Sequence, residues 1–416
     1  MWIRIERGFS KKAAGIVKTL IFVFLAAALF VYINQLVQPI WTSWSNYDRT
    51  EGFYEEPENT LETVFVGTSV VVTGIIPAEL YEDYGICAYN LASEQQPMLA
   101  SYYWVEEAFR LHSESMTTVV LDVSALRFKQ DDAFYRKALD GMRLSTIKLH
   151  AVKDYASDFS EMISMLIPVF SYHDRWEELT ETDFTKNSLE PERCLRGLCL
   201  NGDVYAEQAD DYTEIAVPEY EINEEASAAN LENESVTYLM KMIEFCEEQD
   251  LNLVLIKTPV LGNWSSSLHN AVQEIADTYG LDFMDFNYSP YFDEISFNNA
   301  TDTKDGQHLN YFGAAKITAF LGEYLSEVCK NTDHRGDEAY AFLDEQLEDY
   351  QSALASYLET NEVINLEESL AADLEAGAEY EDLTEAKQRL YQYNLTCEGK
   401  KQMLQDGTDS ADGMED

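Results

Sequence analysis

An α/β domain with a mostly parallel sheet, covered by helices on both faces, is the fold class this sequence predicts. One membrane-spanning helix precedes it and an acidic helical extension follows it. Three observations predict the sheet. Five short apolar runs, at 64–66, 86–91, 118–123, 251–256 and 281–286, have the length and composition of buried strands. Most of the stretches between them carry helical spacing, so strands and helices alternate. The residues able to do chemistry sit just past such runs, where open α/β sheets hold their ligands.

Composition sets the outer bounds. The chain has 416 residues and is 46% hydrophobic, enough to build a substantial core. Its net charge of -48, from 76 acidic and 28 basic residues, argues against nucleic acid and anionic lipid surfaces as partners. A solvated acidic surface explains the charge most simply. The six cysteines show no C-x-x-C spacing, so no structural zinc is expected. Cys194 and Cys199 flank Leu-Arg-Gly-Leu, a turn; a disulfide across it and two free thiols are both open readings. No glycine-rich phosphate loop and no metal-ligand spacing is present, so neither cofactor nor metal is expected.

Residues 1–36 read as a basic cytoplasmic tip and a transmembrane anchor. Arg4, Arg7, Lys11 and Lys12 precede an apolar run ending near Leu36. A spanning helix needs about 20 apolar residues, which the run approximately provides. Lys18 can snorkel to the basic side, and Trp41 and Trp44 fall where an interfacial aromatic belt would lie. The positive charges put the N-terminus in the cytoplasm and the rest outside. Ala26-Ala27-Ala28 offers small residues for cleavage, but the apolar run continues past it, so an uncleaved anchor is expected.

Residues 37–60, with Pro39, Pro57 and several acids, read as a stalk. The main domain is expected over 61–330. Its first strand, Val64–Val66, runs into the tight turn Gly67-Thr68-Ser69. Pro77 starts a short helix, 86–91 is the second strand, and Pro97 opens a helix to about Leu111. The third strand, 118–123, is apolar throughout and therefore central. From about 126 to 234 the rhythm lapses into an insertion that holds His173 and Trp176; they read as cleft lining or as a structural histidine and a packed tryptophan. A helix over 235–249 restores the alternation. The fourth strand ends at Lys257-Thr258-Pro259, a helix covers 265–279, and the fifth strand follows. Asp305-Gly306-Gln307-His308-Leu309-Asn310 then leads into a helix over 311–329. Five such strands with a site at their carboxyl ends are a flavodoxin-like, three-layer arrangement. Residues 331–405 are acidic and helix-prone, with helices expected over 337–358 and 383–404, and 406–416 is too polar to pack.

Ser69 after the first strand and Asp305-x-x-His308 before the last helix can meet as a Ser-His-Asp triad, because triads are defined by geometry rather than by spacing. Each residue alone has a plainer use: Ser69 as a helix N-cap, Asp305 in a turn with Gly306, His308 bonded within its loop. Asp302 is a rival for the role of Asp305. Lys257 stands at a functional position by topology, and equally at a solvated strand end.

Three blocks resemble the SGNH/GDSL hydrolase superfamily: Val64-Phe65-Val66-Gly67-Thr68-Ser69, Tyr89-Asn90-Leu91-Ala92-Ser93-Glu94-Gln95-Gln96-Pro97, and Asp305 to Asn310 with Gly313 and Ala314. More narrowly, the chain resembles membrane-anchored extracytoplasmic members of Gram-positive bacteria, distantly like the teichoic-acid D-alanyl transfer protein and the alginate-type O-acetyltransferases. The resemblance covers roughly 60–330. It departs from the family at Thr68, where aspartate is usual, at Val70, where many anchored relatives have histidine, and at Ala92, where glycine is usual. It implies Ser69 as nucleophile, His308 as base, Asp305 as its orienting carboxylate, and oxyanion or substrate donors from Ser93, Gln96 and Asn90. It implies a serine esterase or O-acyltransferase acting on a cell-envelope polysaccharide or teichoic-acid-like polymer, with a membrane acyltransferase as partner. The alternative is a non-catalytic envelope binding or assembly protein on a degenerate scaffold.

Overall fold

A computed structural model describes residues 11–38, 47–127, 129–185, 195–200, 202, 231–260, 264–361, 366–388, 390–392 and 394–395. In chain order its elements are α1 (Lys11–Val37), α2 (Tyr47–Glu55), β1 (Thr63–Gly67), α3 (Ser69–Gly74), α4 (Pro77–Tyr84), β2 (Ala88–Ala92), α5 (Met98–His112) and β3 (Thr118–Asp122). Then come α6 (Asp132–Asp140), α7 (Thr146–Tyr155), α8 (Phe159–Leu166), α9 (Pro168–Tyr172), α10 (Glu181–Thr185), α11 (Asn233–Glu248), β4 (Asn252–Lys257), α12 (Ser266–Tyr279) and β5 (Asp282–Asp285). The chain closes with α13 (Tyr291–Glu294), α14 (Asn299–Asp302), α15 (Tyr311–Glu327), α16 (Ala341–Asn361) and α17 (Leu366–Glu375). Two compact units form: residues 1–45 with 152–188, and residues 46–151 with 189–416.

The larger unit is the α/β domain. Its five strands are all parallel, in the order β2-β1-β3-β4-β5, the doubly wound order that places a ligand crevice where β1 and β3 diverge. Every residue of β1, β2 and β3 is buried, as expected where helices cover both faces. The faces separate by the two-residue period of a strand. Phe65, Val120, Val254, Ile256 and Met284 share one core with Val71, Leu80, Ile317 and Leu321, from α3, α4 and α15. Val64, Val66, Val119, Leu121, Leu253 and Leu255, equally buried, alternate with them and so face the other way, toward the side of α5 and α11. Helix boundaries follow local chemistry. Pro77 starts α4 and left-handed Gly85 ends it. Asn310 caps α15 by accepting the N–H groups of Phe312 and Gly313.

One expectation is corrected here. Residues 47–60 are not a stalk: α2 is part of the α/β unit, with Phe53 fully buried and its ring 5.7 Å from that of Tyr89 and 6.1 Å from that of Trp104. The acidic extension packs on the α/β unit. Tyr350 of α16 is buried in the core with α4, and Leu370, Leu383 and Leu390 form a small cluster against Ala300. The first helix of that extension was expected; α17 was not, and the stretch beyond 395 lies outside the described residues.

The smaller unit contains α1, α8, α9, a turn at His173–Glu177 and α10. From Ala14 to Val37, α1 is long and apolar enough to cross a membrane. Residues 15–33 are exposed all round, whereas Asn34 and Val37 are buried. Trp176 is not packed: it is 65% exposed. His173 is likewise exposed, with Nε2 2.8 Å from the Asp174 carboxylate. Trp41, Trp44, Cys194 and the acidic stretch 214–230 lie outside the described residues.

Candidate active site

The site begins at the sharp exit from β1. Thr68 is extended and Ser69 opens α3, with the Val71 N–H bonded back to the Thr68 carbonyl. Gly67 is required by space: a Cβ there would lie 2.7 Å from Val71 Cγ2 and 2.9 Å from Asp122 Cβ. The strand can therefore press against the end of β3 while it turns.

The second half comes from the loop before α15. The Asp305 carboxylate organises it, accepting the backbone N–H groups of Gln307 at 2.9 Å and His308 at 2.8 Å on Oδ1. Its Oδ2 lies 2.8 Å from Nδ1 of the His308 ring. Burial would raise the Asp305 carboxyl, but these hydrogen bonds outweigh it and hold the group at about 2. The other ring nitrogen, Nε2, lies 2.8 Å from Ser69 Oγ. Ser69, His308 and Asp305 thus form one hydrogen-bonded chain. Gly313 lets α15 close on this loop, since a Cβ there would meet the Asp302 carbonyl at 2.2 Å. Asp302 itself is turned away: buried, it accepts the Asn298 N–H and pairs with Lys316 at 2.7 Å.

A cavity of about 310 Å³ opens over this chain at the carboxyl ends of the strands. Thr68, Ser69 and Val70 line it after β1, Glu94 and Gln95 after β2, Ser124 and Arg127 after β3, Lys257 and Val260 at and after β4, and Gln307 and His308 before α15. Asp122 ties the rim together. Its Oδ1 accepts the Ser124 N–H at 2.9 Å, and its Oδ2 accepts the N–H and hydroxyl of Thr258, each at 3.1 Å. Lys257 is fully buried, donates to the Thr258 carbonyl at 2.6 Å and lies 5.5 Å from the Trp264 ring centre. Burial lowers its ammonium, with Asp122 and Asp285 acting the other way.

The second-block residues lie elsewhere than expected. Ser93 donates to Gln96 Oε1, and the Gln96 amide donates to the Leu91 carbonyl and the Ser101 hydroxyl; both side chains are fully buried. Asn90 donates to the carbonyls of Val71 and Ile75. Ser93 and Gln96 fasten β2 to the start of α5, Asn90 fastens β2 to α3, and none of the three lines the cavity. Ser124 was missed from the sequence. Its hydroxyl is buried, lines the cavity and has no hydrogen-bond partner among the described residues. Its position two residues past the third strand was the one available signal.

The fold and site define a doubly wound α/β protein with a serine, a histidine and a carboxylate in hydrogen-bonded sequence at its ligand crevice. No protein-family model matches the chain, and a search of curated proteins finds no match. Among solved structures it is similar to a Bacteroides fragilis protein described as a "putative acylhydrolase", at 10% identity and a TM-score of 0.32, over 68% of this chain and 95% of that one. A likeness at that level carries nothing about chemistry.

Proposed function

We propose that this protein is a serine esterase or O-acyltransferase of the SGNH/GDSL type, working through a covalent acyl-enzyme. The observation that carries the reading is the chain Ser69 Oγ–His308 Nε2, His308 Nδ1–Asp305 Oδ2, at 2.8 Å for each link, opening on the crevice. A serine hydroxyl is a weak nucleophile until a base takes its proton. In this reading the Ser69 hydroxyl donates to His308 Nε2 and attacks the acyl carbonyl as the proton moves to the imidazole. Asp305, ionised far below neutral pH, accepts from Nδ1–H, fixes the tautomer and stabilises the imidazolium. His308 then returns the proton to the leaving oxygen. The backbone N–H of Ser69 and the free Ser124 hydroxyl are the oxyanion donors, replacing the side chains of Ser93, Gln96 and Asn90. Water or a sugar hydroxyl resolves the acyl-enzyme, giving hydrolysis or transfer.

The membrane-crossing length of α1 supports a single-pass anchor with the α/β unit outside the cytoplasm, where a cell-envelope polymer is the substrate and a membrane acyltransferase a partner. The test is labelling by a fluorophosphonate probe alongside turnover of a chromogenic acetyl ester. Wild type should label and turn over, while Ser69→Ala should do neither. Turnover unchanged in Ser69→Ala would sink the mechanism, and absence of labelling in wild type would favour the binding-protein alternative.

A further inference from the structure

The smaller unit carries a feature that the hydrolase reading does not use. The segment 159–185 is folded onto the end of α1. The Val169 N–H donates to Asn34 Oδ1 at 2.9 Å. The Arg175 guanidinium donates to the carbonyls of Leu36 and Gln38, at 3.3 and 2.9 Å, and pairs with Asp183 at 2.6 Å. The two Arg175 bonds to Leu36 and Gln38 satisfy carbonyls that a helix end leaves open. Around this clasp, Phe159, Phe170, Trp176 and Phe184 are exposed by 73, 56, 65 and 57%. Four large aromatic rings in water on one short segment are costly unless something covers them.

The position of the clasp says what covers them. The exposed part of α1, residues 15–33, spans about 28 Å at roughly 1.5 Å per residue. A bilayer's hydrocarbon core is about 30 Å thick. The helix becomes buried at Asn34, where it would leave the hydrocarbon, so the clasped segment meets the headgroup level, the depth that aromatic side chains favour. Resting on the reading of α1 as a membrane anchor, we infer that residues 159–185 form an interfacial foot, its aromatic rings inserted at the headgroup–acyl boundary. The lipid is zwitterionic rather than anionic. Arg175 is the one Lys or Arg between 156 and 185, and its charge is spent on Asp183 and the helix carbonyls, so the foot holds by apolar insertion and not by charge.

The test uses the full chain in phosphatidylcholine vesicles, with and without lipid brominated near the headgroup. Trp176 emission is isolated as the difference between wild type and Trp176→Phe, since the chain holds other tryptophans. The expected result is a drop of roughly twofold or more in that emission with brominated lipid, equal at low and high salt, with little quenching by aqueous iodide. Phe170→Trp should add emission that behaves in the same way. Emission quenched by iodide and untouched by bromine puts the foot in water and overturns the inference. Emission untouched by either quencher means that protein covers the rings, a second copy or a partner, and overturns it equally. Failure of the chain to float with the vesicles removes the membrane anchor itself, which the other outcomes leave standing.

Discussion

Asp305 holds His308 at two points: Oδ1 accepts the backbone N–H at 2.8 Å, and Oδ2 faces ring Nδ1 at 2.8 Å. One carboxylate thereby shapes the loop and sets the ring. Asp305→Asn keeps the size of the side chain but offers Nδ1 an amide, which allows the wrong tautomer. We predict a fall in kcat for a small ester of roughly 10³- to 10⁴-fold, with a small change in KM. An unchanged kcat would show that the imidazole needs no orienting acid.

The same carboxylate gives a stability signature. Its folded pKa of about 2 lies below its unfolded value of 3.8. Its contribution is therefore complete above pH 3.8 and is lost as pH falls toward 2. In Asp305→Asn that part of the acid-induced loss should be missing, read as the difference between the unfolding midpoints of the two proteins across this window.

His112 titrates in a different window, and here it is the neutral form that the folded protein favours. Buried at the end of α5, it accepts the Leu61 N–H on Nδ1 at 3.3 Å, while Nε2 has no partner among the described residues. Burial, and then the Arg196 cation, hold it down at about 4, against 6.5 unfolded. Between these values the unfolded chain binds a proton that the folded chain refuses, so stability is full above pH 6.5 and falls as pH drops to 4. The loss amounts to about 3 kcal/mol. His112→Gln should flatten the stability curve by that amount over this interval. Parallel curves for the two proteins would mean that His112 does not titrate there.

The strands and the Ser69–His308–Asp305 residues were legible in the sequence because their signals are local. A strand buried on both faces is an unbroken apolar run, and Asp305-x-x-His308 lies within one loop. The uses of Asn90, Ser93 and Gln96 were not legible. A buried amide bonds whichever carbonyl the fold brings near, and for Gln96 that is Leu91, five residues back. The helix at 47–55 is short and polar, and Phe53 finds its slot only when β2, α5 and α2 have assembled. Residues 195–197 read correctly as a turn, but nothing nearby in sequence indicated what Arg196 would reach.

Arg196 reaches Glu56. The fully buried guanidinium meets both Glu56 oxygens, at 3.0 and 2.9 Å, and donates to the Ala88 carbonyl at 2.7 Å and to Gln346 of α16. The backbone is left-handed from Leu195 to Gly197, and Gly197 presses so close that a Cβ would lie 2.2 Å from the Asn90 carbonyl. Removing one member of a buried pair leaves the other uncompensated, so Arg196→Met should cost about 3–5 kcal/mol in chemical unfolding. Arg196→Lys should recover part of that, because one ammonium cannot reproduce the forked contacts. A loss below about 1 kcal/mol for Arg196→Met would place the pair among weakly coupled ones.

Ser124 separates a catalytic role from a structural one. Its backbone N–H is held by Asp122 and its carbonyl accepts from Arg127 at 3.3 Å, and alanine keeps both bonds. Its hydroxyl is buried without a partner, which costs free energy in the resting protein. Ser124→Ala should therefore leave stability unchanged or raise it by about 1 kcal/mol. If the hydroxyl donates to the developing oxyanion, the same substitution should lower kcat by roughly 10²- to 10³-fold, because that hydrogen bond is made in the transition state and not before. KM should stay close to wild type. A variant with full kcat would leave the oxyanion to the backbone alone, and a variant that lost stability and kcat together would make Ser124 a packing residue. Stability held with kcat reduced is the outcome expected of a hydroxyl kept unpaired for use by the substrate.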